Sequence, residues 1–454
     1  MKIIHNIITQ SLFLFVFITI IGFTACNDDD SKEVVTPSGN GVPEVNIFSP
    51  MKGGYETEIS FYGSSLPTDL SKIRVTVNGA DAVVKSSNGR IVTALVQKDT
   101  GSGAVKVYID YGSEVKEFSF QQEFEYGFQT LVSTYLGDGK KEDLDGPIET
   151  ARLKGPYRLA WGNDNELFIM EEGASPSTAT NFSAVRRLSE GQLATLFTGQ
   201  QTTVAEKMRN IVFSNNNNTL YVTNDKDANG TMGLGILSRS DNFSNMTALY
   251  TNNSVTTLTV AVHPITGDVF VGRYNTAAIM KYNSGSLDHK MDILSANGTL
   301  TDMIFSKDGK KLYISIAYRG HSILVADYDK DTDTFSNLKT LAGPAKVITE
   351  GSAVNTTGYV DAKGSQARFN NPQQIDLDDE GNIFVADADN HCIRKVAPDG
   401  VVTTYAGIGK SSGFVDGEAS TAKFNKPFGC KFGPDGALYI ADNYNHRIRR
   451  IAVQ

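Results

Sequence analysis

The chain has 454 residues, of which 51 are acidic and 42 basic, giving a formal net charge of −9. This balance makes a polyanion such as nucleic acid an unfavourable partner, because proteins that bind phosphate backbones present an excess of positive charge to them. Three cysteines occur, Cys26, Cys392 and Cys430, and their spacing matches no zinc site. We expect the last two to be buried thiols, with a disulfide between them as the alternative.

Residues 1–25 have the pattern of a secretory signal peptide, with one charge at Lys2 and an almost unbroken apolar run from Leu12 to Phe23. The next residues, Phe23-Thr-Ala-Cys26, resemble a bacterial lipobox, in which cleavage leaves the cysteine first and lipid-modified. The resemblance implies an outer-membrane lipoprotein anchored through Cys26, and an ordinary signal or a membrane anchor is the alternative. An acidic run, 28–30, resembles the tag of Bacteroidetes lipoproteins carried to the cell exterior, although a solvated tether would also contain one.

Residues 26–43 are predicted to be a flexible tether, because they are polar and lack an apolar period. Residues 44–126 carry short alternating strands separated by turns such as Asn78-Gly79 and Asn88-Gly89, which predicts a small β-sandwich. The stretch Ile47-Phe-Ser-Pro50 and the Asn78-Gly79 turn are similar to those of an IPT/TIG domain of the immunoglobulin-like class. We interpret this domain as a spacer, with carbohydrate binding as the alternative.

One pattern is written twice near the C-terminus, as Ala-Arg-Phe-Asn-Asn-Pro at 367–372 and Ala-Lys-Phe-Asn-Lys-Pro at 422–427. Each copy continues through short apolar segments and Gly/Asp/Asn turns, which is typical of the blades of a β-propeller. The stretch 440–451, Ile-Ala-Asp-Asn-Tyr-Asn-His-Arg-Ile-Arg-Arg-Ile, resembles the NHL repeat. The resemblance implies an architecture, whereas one fold hosts many activities.

The second strand of this repeat recurs six times along residues 127–454. Its occurrences are Leu167-Phe-Ile, Leu220-Tyr-Val, Val269-Phe-Val, Leu312-Tyr-Ile, Ile383-Phe-Val and Leu438-Tyr-Ile. The longest interval precedes the fifth copy and predicts an insertion around 343–358. The predicted fold is therefore all-β, an immunoglobulin-like sandwich followed by a six-bladed NHL-type propeller.

Closure of the propeller can also be predicted. Residues 131–137 echo residues 401–407, the fourth strand of blade five, whereas blade six ends at Gln454 without a fourth strand of its own. We expect residues 130–136 to supply that strand, which leaves no sheet edge unpaired there. Three aspartates, Asp145, Asp361 and Asp416, precede the blade proline at one spacing and group the first blade with the last two.

A propeller places the starts of its innermost strands around the mouth of a central tunnel, so the two positions after each proline should form a ring. In blade order they are Tyr157-Arg158, Arg209-Asn210, Leu258-Thr259, Thr301-Asp302, Gln373-Gln374 and Phe428-Gly429. The predicted ligand-binding residues are Tyr157, Arg158, Arg209, Asn210, Asp302, Gln373, Gln374 and Phe428. Arginine can bind a carboxylate through two parallel hydrogen bonds, and aromatic rings can stack on a sugar. The alternative is that these residues order water molecules and neighbouring loops. Two arginines with a single carboxylate, Asp302, predict an anionic or polar ligand held without a metal.

The enzymatic alternative comes from resemblance, since some six-bladed relatives are hydrolases or lyases, such as lactonases, with a metal at the tunnel. Such sites need several converging carboxylates or histidines. The ring offers Asp302 and no histidine; His391 and His446 occupy the repeat's Asn-His position, where turn and inter-blade hydrogen bonds explain them, and the histidines at 263, 289 and 321 are scattered. We therefore predict no catalytic residue.

Calcium is the cofactor alternative. Asp225, Asp227 and Asn229 begin like an EF-hand loop, but its twelfth position is Ile236 instead of glutamate. The alternating aspartates of 327–333 are interpreted as a hairpin turn, and the repeat's Asp387 and Asp442 as structural. We expect no cofactor, with Ca²⁺ at the 225–229 loop as the alternative.

These features predict a cell-surface lipoprotein that binds an extracellular glycan, a glycan fragment or another small polar ligand through its propeller. The glycan step rests on resemblance to accessory components of Bacteroidetes glycan-capture systems, which also implies outer-membrane transport proteins as partners. The alternatives are a propeller hydrolase or lyase and a protein-binding scaffold. Clustered aromatic rings would favour a glycan, converging carboxylates an enzyme, and a broad apolar patch a protein.

Overall fold

A computed structural model describes residues 41–98, 100–112, 114–163, 165–171, 183–199, 205, 207–225, 230–251, 256–274, 277–293, 299–317, 320–344 and 357–454. The predicted signal peptide, Cys26 and the tether up to residue 40 lie outside this part of the chain. Asp227, Asn229 and most of the predicted insertion lie outside it as well. Within the described ranges, no helix has the length and apolar character needed to span a membrane.

The first domain is built from eight strands that alternate buried and exposed side chains. They are β1 (Glu44–Ser49), β2 (Lys52–Gly53), β3 (Glu58–Ser64), β4 (Ile73–Val77), β5 (Ala80–Ser87), β6 (Ile91–Leu95), β7 (Gly103–Asp110) and β8 (Val115–Tyr126). Their hydrogen-bonded order is β1-β3-β6-β5-β4-β7-β8-β2, and β2 runs parallel to β8. The inward residues form one core that includes Phe48, Phe61 and Phe124, each at most 1% exposed.

Six sheets follow, and in blades two to five the chain adds strands one after another from the innermost outward. Blade one contains β10 (Gly146–Pro147), β11 (Pro156–Trp161), β12 (Leu167–Glu171), β13 (Ala184–Ser189) and β14 (Gln192–Thr198). Blade two contains β15 (Met208–Phe213), β16 (Thr219–Asn224), β17 (Met232–Ser238) and β18 (Thr247–Thr251); blade three contains β19 (Thr257–Val262), β20 (Val269–Arg273), β21 (Ala278–Asn283) and β22 (Ser286–Asp292).

Blade four contains β23 (Leu300–Phe305), β24 (Lys311–Ile316), β25 (Ser322–Asp329) and β26 (Thr334–Ala342); blade five contains β27 (Pro372–Leu377), β28 (Ile383–Asp387), β29 (Cys392–Val396) and β30 (Val402–Ala406). Blade six contains β31 (Gly417–Glu418), β32 (Pro427–Phe432), β33 (Leu438–Asp442) and β34 (Arg447–Val453), together with β9 (Thr130–Leu136). The innermost strands β11, β15, β19, β23, β27 and β32 contact one another in a closed ring. The all-β, six-bladed prediction is confirmed.

Both ends of the propeller segment meet in blade six, as predicted. Strand β9 pairs antiparallel with β34, with Val132 opposite Ile451, and β31 covers the other edge of β9. At the margin of this pairing, Gln129 and Gln454 exchange both backbone hydrogen bonds, at 2.8 and 2.9 Å. The outer edge of the last blade is thus closed by the strand that follows the first domain.

The repeated aspartates hold a buried arginine in blades one, five and six. In blade five, Arg394 is fully buried and donates from Nη1 to Asp387 Oδ2 at 2.9 Å and from Nε to Asp361 Oδ1 at 3.1 Å. Burial raises the pKa of Asp387 to about 6, while Arg394 opposes the shift. The equivalent groups are Asp145, Glu171 and Arg186 in blade one, and Asp416, Asp442 and Arg449 in blade six. The structural interpretation of Asp387 and Asp442 is confirmed.

Histidines at the start of the third strand tie neighbouring blades together. His391 adopts a left-handed conformation with φ 58°, and its Nδ1 accepts the backbone N–H of Lys426 in the next blade's segment at 3.1 Å. His321 does the same with φ 44° and accepts from Asn371 N at 3.0 Å. His321 therefore occupies the same structural position as the histidines of the repeat, a role that the sequence analysis did not assign to it. The signal was weak because the Asn-His pair is absent there: Gly320 precedes the histidine.

Two smaller predictions are also confirmed. The alternating aspartates lie at a hairpin between β25 and β26, where Asp329 Oδ1 accepts the Asp331 N–H at 2.9 Å. Cys392 and Cys430 are buried free thiols. Cys430 Sγ donates to the Gln374 carbonyl at 3.0 Å, so this thiol joins blades five and six without a disulfide.

Candidate functional site

Each innermost strand has a β-bulge close to its start. The pairing register shifts between Pro156 and Arg158 in blade one, between Met208 and Asn210 in blade two, and at the equivalent place in the other four blades. A bulge redirects side chains and is frequent beside functional sites. The predicted ring positions all fall at these bulges, so the residues predicted from the sequence to bind a ligand are brought close together around the tunnel.

Arg158 lies in the centre of that end and is 2% exposed. Its Nη1 donates to the Phe428 carbonyl at 3.0 Å and to the Tyr157 carbonyl at 3.2 Å, while Nη2 donates to the Thr301 carbonyl and Gln373 Oε1, both at 3.0 Å. The guanidinium also lies over the Tyr157 ring, 4.2 Å from its centroid. Arg158 therefore fills the tunnel and joins four blades.

A second polar group lies beside it. Asp302 Oδ1 accepts from Asn210 Nδ2 at 2.8 Å and from Thr259 Oγ1 at 3.4 Å, and its Oδ2 accepts the Ile375 N–H at 2.9 Å. Burial raises the pKa of the Asp302 carboxyl, and the nearby Arg158 opposes that shift. Because protein donors contact both oxygens, Asp302 acts here as a linker between blades two, three, four and five.

Blade six provides a glycine at the same level, and this glycine lets blade five reach blade one. Gln374 Oε1 accepts the Leu159 N–H at 3.1 Å, and its Nε2 donates to the Leu159 carbonyl at 2.8 Å. A Cβ on Gly429 would lie 3.0 Å from Gln374 Oε1 and 3.1 Å from the Tyr157 carbonyl oxygen. The absent side chain therefore leaves the room through which the Gln374 amide passes.

These side chains divide the tunnel into two separate cavities. On the far side, a cavity of about 200 Å³ is lined mainly by apolar residues of the innermost strands, including Trp161, Phe213 and Phe305, with Lys431 as its charged residue besides Asp302. On the side of the bulges lies a larger cleft of about 610 Å³. We call the latter the mouth cleft, lined by Tyr157, Arg158, Lys207, Arg209, Asp225, Leu258, Tyr274, Thr299, Leu300 and Thr301.

Electrostatics in the mouth cleft differ from the sequence prediction. Arg209 Nε lies 3.0 Å from Asp225 Oδ2, and Lys207 Nζ lies 3.0 Å from the same oxygen. The premise that Asp302 alone faces both arginines is therefore wrong, because Asp225 enters the cleft from the end of β16. Asp225, named above as a calcium candidate, is held by two cations, while its predicted companions Asp227 and Asn229 lie outside the described residues.

Aromatic rings form the other component of the cleft. Tyr157 stacks on Phe428 with centroids 5.0 Å apart, and the Tyr157 hydroxyl lies 3.4 Å from Gln373 Oε1. Tyr274 follows β20 and is partly exposed in the cleft wall. A partly exposed ring beside cations and hydroxyls suits a ligand with both apolar faces and charged or hydroxyl groups.

Sequence reasoning missed Lys207, Tyr274 and Thr299, which line the cleft. Lys207 and Thr299 each directly precede the first residue of an innermost strand, and Tyr274 directly follows a second strand, so alignment of the blades could have found them. Among the described residues, no group of three or more His, Cys, Asp or Glu side chains is arranged to hold a metal ion. The carboxylates found at the tunnel within this part of the chain are Asp225 and the buried Asp302.

Family models match the first domain and one segment of the propeller. Residues 43–126 match the IPT/TIG domain and residues 369–396 match the NHL repeat. NHL repeat-containing protein 2 of Bos taurus is 34% identical over 143 residues, which cover 30% of this chain and 20% of that protein. The chain thus spans about a fifth of the length of this curated relative. The chain carries an IPT/TIG domain and an NHL repeat in a six-bladed propeller.

Solved structures resemble the chain over both domains. An auxiliary nutrient binding protein from Bacteroides thetaiotaomicron VPI-5482 is 27% identical, with a TM-score of 0.67, and the match covers 91% of this chain and 98% of that one. A second auxiliary nutrient binding protein, from Bacteroides ovatus ATCC 8483, is 25% identical, with a TM-score of 0.68 and coverage of 91% and 99%. The likeness therefore extends across the sandwich and the propeller together.

Proposed function

We propose that the protein is a lipid-anchored accessory protein of the outer membrane, facing the cell exterior, that binds a glycan or glycan fragment in the mouth cleft. The observation that carries the proposal is the cleft itself, a cavity of about 610 Å³ lined by two tyrosines and by Lys207 and Arg209. Its volume lies within the range of small-molecule sites, roughly 300–1,000 Å³. The likeness to nutrient binding proteins supports the binding part of the proposal.

The mouth cleft is closed at its floor, so a ligand can reach it from one side. Arg158 and the Gln374 amide occupy the tunnel behind it, so a ligand enters and leaves by the same opening. Preformed polar groups on rigid strands lower the ordering cost of binding. A ring stacked on Tyr274, with hydroxyl or acid groups at Arg209 and Lys207, would use both chemical components of the cleft.

The anchoring part of the proposal rests on the lipobox-like stretch that ends at Cys26. We expect Cys26→Ala to abolish lipid labelling, and protease added to intact cells to degrade the wild type. Protection of the wild type until the outer membrane is opened would contradict outward exposure. The proposed partners are outer-membrane transport proteins, and co-purification from solubilised membranes tests them.

A thermal-shift screen of polysaccharides and oligosaccharides should find a ligand, and calorimetry should then locate it. A charge-assisted contact contributes about 1.5–3 kcal/mol, so Arg209→Ala should weaken binding of the best hit about tenfold or more. Tyr274→Ala should weaken it as well, because a stacking face is lost. Arg90→Gln, which removes one charge from an exposed site in the first domain, is the control and should bind like the wild type.

Each titration is repeated in EDTA. Unchanged affinity of both cleft variants would place the ligand elsewhere and refute the mouth cleft as the site. Loss of binding in EDTA, or turnover of the glycan that EDTA abolishes, would instead support the hydrolase or lyase alternative with a metal.

A further inference from the structure

The last residue of the second strand has a fixed chemical role in half of the blades. In blades one, five and six it is a buried acid, Glu171, Asp387 or Asp442, and it pairs with an arginine of the third strand. Blade three has the opposite charge at this position. Its second strand, β20, ends in Arg273.

The pairing partner is also changed in blade three. In blade five, Arg394 lies opposite Val385, and in blade three Met280 lies opposite Val271. Blade three therefore has Arg273 at the position of the buried acid, and Met280 at the position of the arginine that pairs with that acid in the other three blades. Arg273 Nε is buried without a hydrogen-bond partner, and across the described ranges no carboxylate lies within ion-pair distance of the Arg273 guanidinium.

Arg273 does not line the mouth cleft itself but is adjacent to a residue that does. Arg273 lies opposite Thr257, the first residue of β19, and directly precedes Tyr274 in the cleft wall. Among the described residues, the lining of the cleft contains three cations, Arg158, Lys207 and Arg209, and one carboxylate, Asp225. Arg273 adds a fourth cation next to this lining. A cleft with an excess of positive charge attracts anions, even in a protein with a net charge of −9.

We propose that Arg273 is an anion anchor beside the mouth cleft, and that the ligand is an acidic saccharide carrying carboxylate or sulfate groups. This inference rests on the function proposed above and narrows its ligand class. A partly buried guanidinium without a counter-ion is unfavourable because burial removes hydration that no pairing replaces. An incoming carboxylate or sulfate relieves this, and the planar fork of arginine binds such groups with two parallel hydrogen bonds.

The first experiment uses inorganic sulfate as the probe and needs no knowledge of the natural ligand. Sulfate is titrated against chloride at constant ionic strength, and the melting temperature is followed for the wild type, Arg273→Gln, Arg273→Lys and Arg90→Gln. We expect a saturable sulfate-dependent increase in the wild type and Arg90→Gln, a smaller one in Arg273→Lys, and none in Arg273→Gln. Absence of a saturable increase in the wild type, or its persistence in Arg273→Gln, would overturn the anchor.

The second experiment tests the ligand class with trigalacturonate and its methyl ester, which has the same backbone without the charges. Calorimetry should show the acid binding about tenfold or more tightly than the ester, and Arg273→Gln should remove most of that difference. Equal affinity for acid and ester refutes the acidic ligand class but leaves glycan binding in the cleft intact. Loss of acid binding in Arg209→Ala but not in Arg273→Gln keeps the proposed function and refutes the anchor.

Discussion

Arg158 offers the sharpest test of how the end of the tunnel works. The sequence presents it as a ligand-binding charge, whereas its guanidinium donates four hydrogen bonds to the protein itself. We therefore expect Arg158→Met to act on stability first. Methionine keeps the length and the apolar stem, so the perturbation is confined to the charged head.

The size of the effect follows from the contacts. The substitution removes the Arg158 donor from three backbone carbonyls and from the Gln373 amide oxygen, and it removes the cation that opposes the raised pKa of Asp302. Removing one charged member of a buried polar network lowers the free energy of unfolding by about 3–5 kcal/mol. We apply this figure to the network as a whole, because the contributions of its individual hydrogen bonds are not additive. At roughly 2 °C per kcal/mol for a large domain, the melting temperature should fall by about 6–10 °C.

Trp161 is the single tryptophan and lies in β11, so its fluorescence reports unfolding of the propeller and not of the first domain. Urea and thermal unfolding should be followed this way for the wild type, Arg158→Met and Arg209→Met. The Arg209 variant disrupts a partly exposed ion pair and should lose only about 1 kcal/mol. A melting temperature of Arg158→Met within about 2 °C of wild type, together with weaker ligand binding, would refute the structural role.

Two further predictions concern closure and pH. A chain shortened to begin at Lys140 lacks β9 and should unfold at a much lower temperature than one beginning at Gln129, because β34 loses its partner; equal melting temperatures would contradict the pairing. Burial raises the pKa of Asp387 and of Asp442 to about 6 from 3.8, so the native state binds more protons between about pH 4 and pH 6. The stability advantage of wild type over Asp387→Asn, measured by urea unfolding, should therefore shrink as the pH rises through this window, and an advantage that grows instead would show that the ionised pair is preferred.

Much of the architecture could be predicted because it depends on local signals. A proline, a turn and an Asn-His pair recur at nearly constant spacing, so blades five and six could be aligned and the ring positions counted from Pro372 and Pro427. Closure of the propeller could be predicted for the same reason, since residues 131–137 have the sequence pattern of a fourth strand. Both predictions concern strands and their order, which periodicity determines.

The electrostatic partners could not be predicted in the same way, because they come from other strands and in part from other blades. Asp225 reaches Arg209 from the end of the neighbouring strand, and Arg158 finds a carbonyl of Thr301 in the opposite blade. The Gln374 amide reaches Leu159 only because Gly429 lacks a side chain between them. Such contacts depend on three-dimensional packing that residue spacing does not encode.

The side chains at the tunnel centre also bear on how the propeller comes apart. In repeat proteins whose units contact only their neighbours, stability is a sum over adjacent pairs and units can unfold one by one. Here Arg158 links blade one to blade four, Asn210 links blade two to blade four, and Gln374 links blade five to blade one. Loss of blade one, two, four or five therefore removes partners from a blade that it does not adjoin, so we expect the propeller to unfold as one cooperative unit.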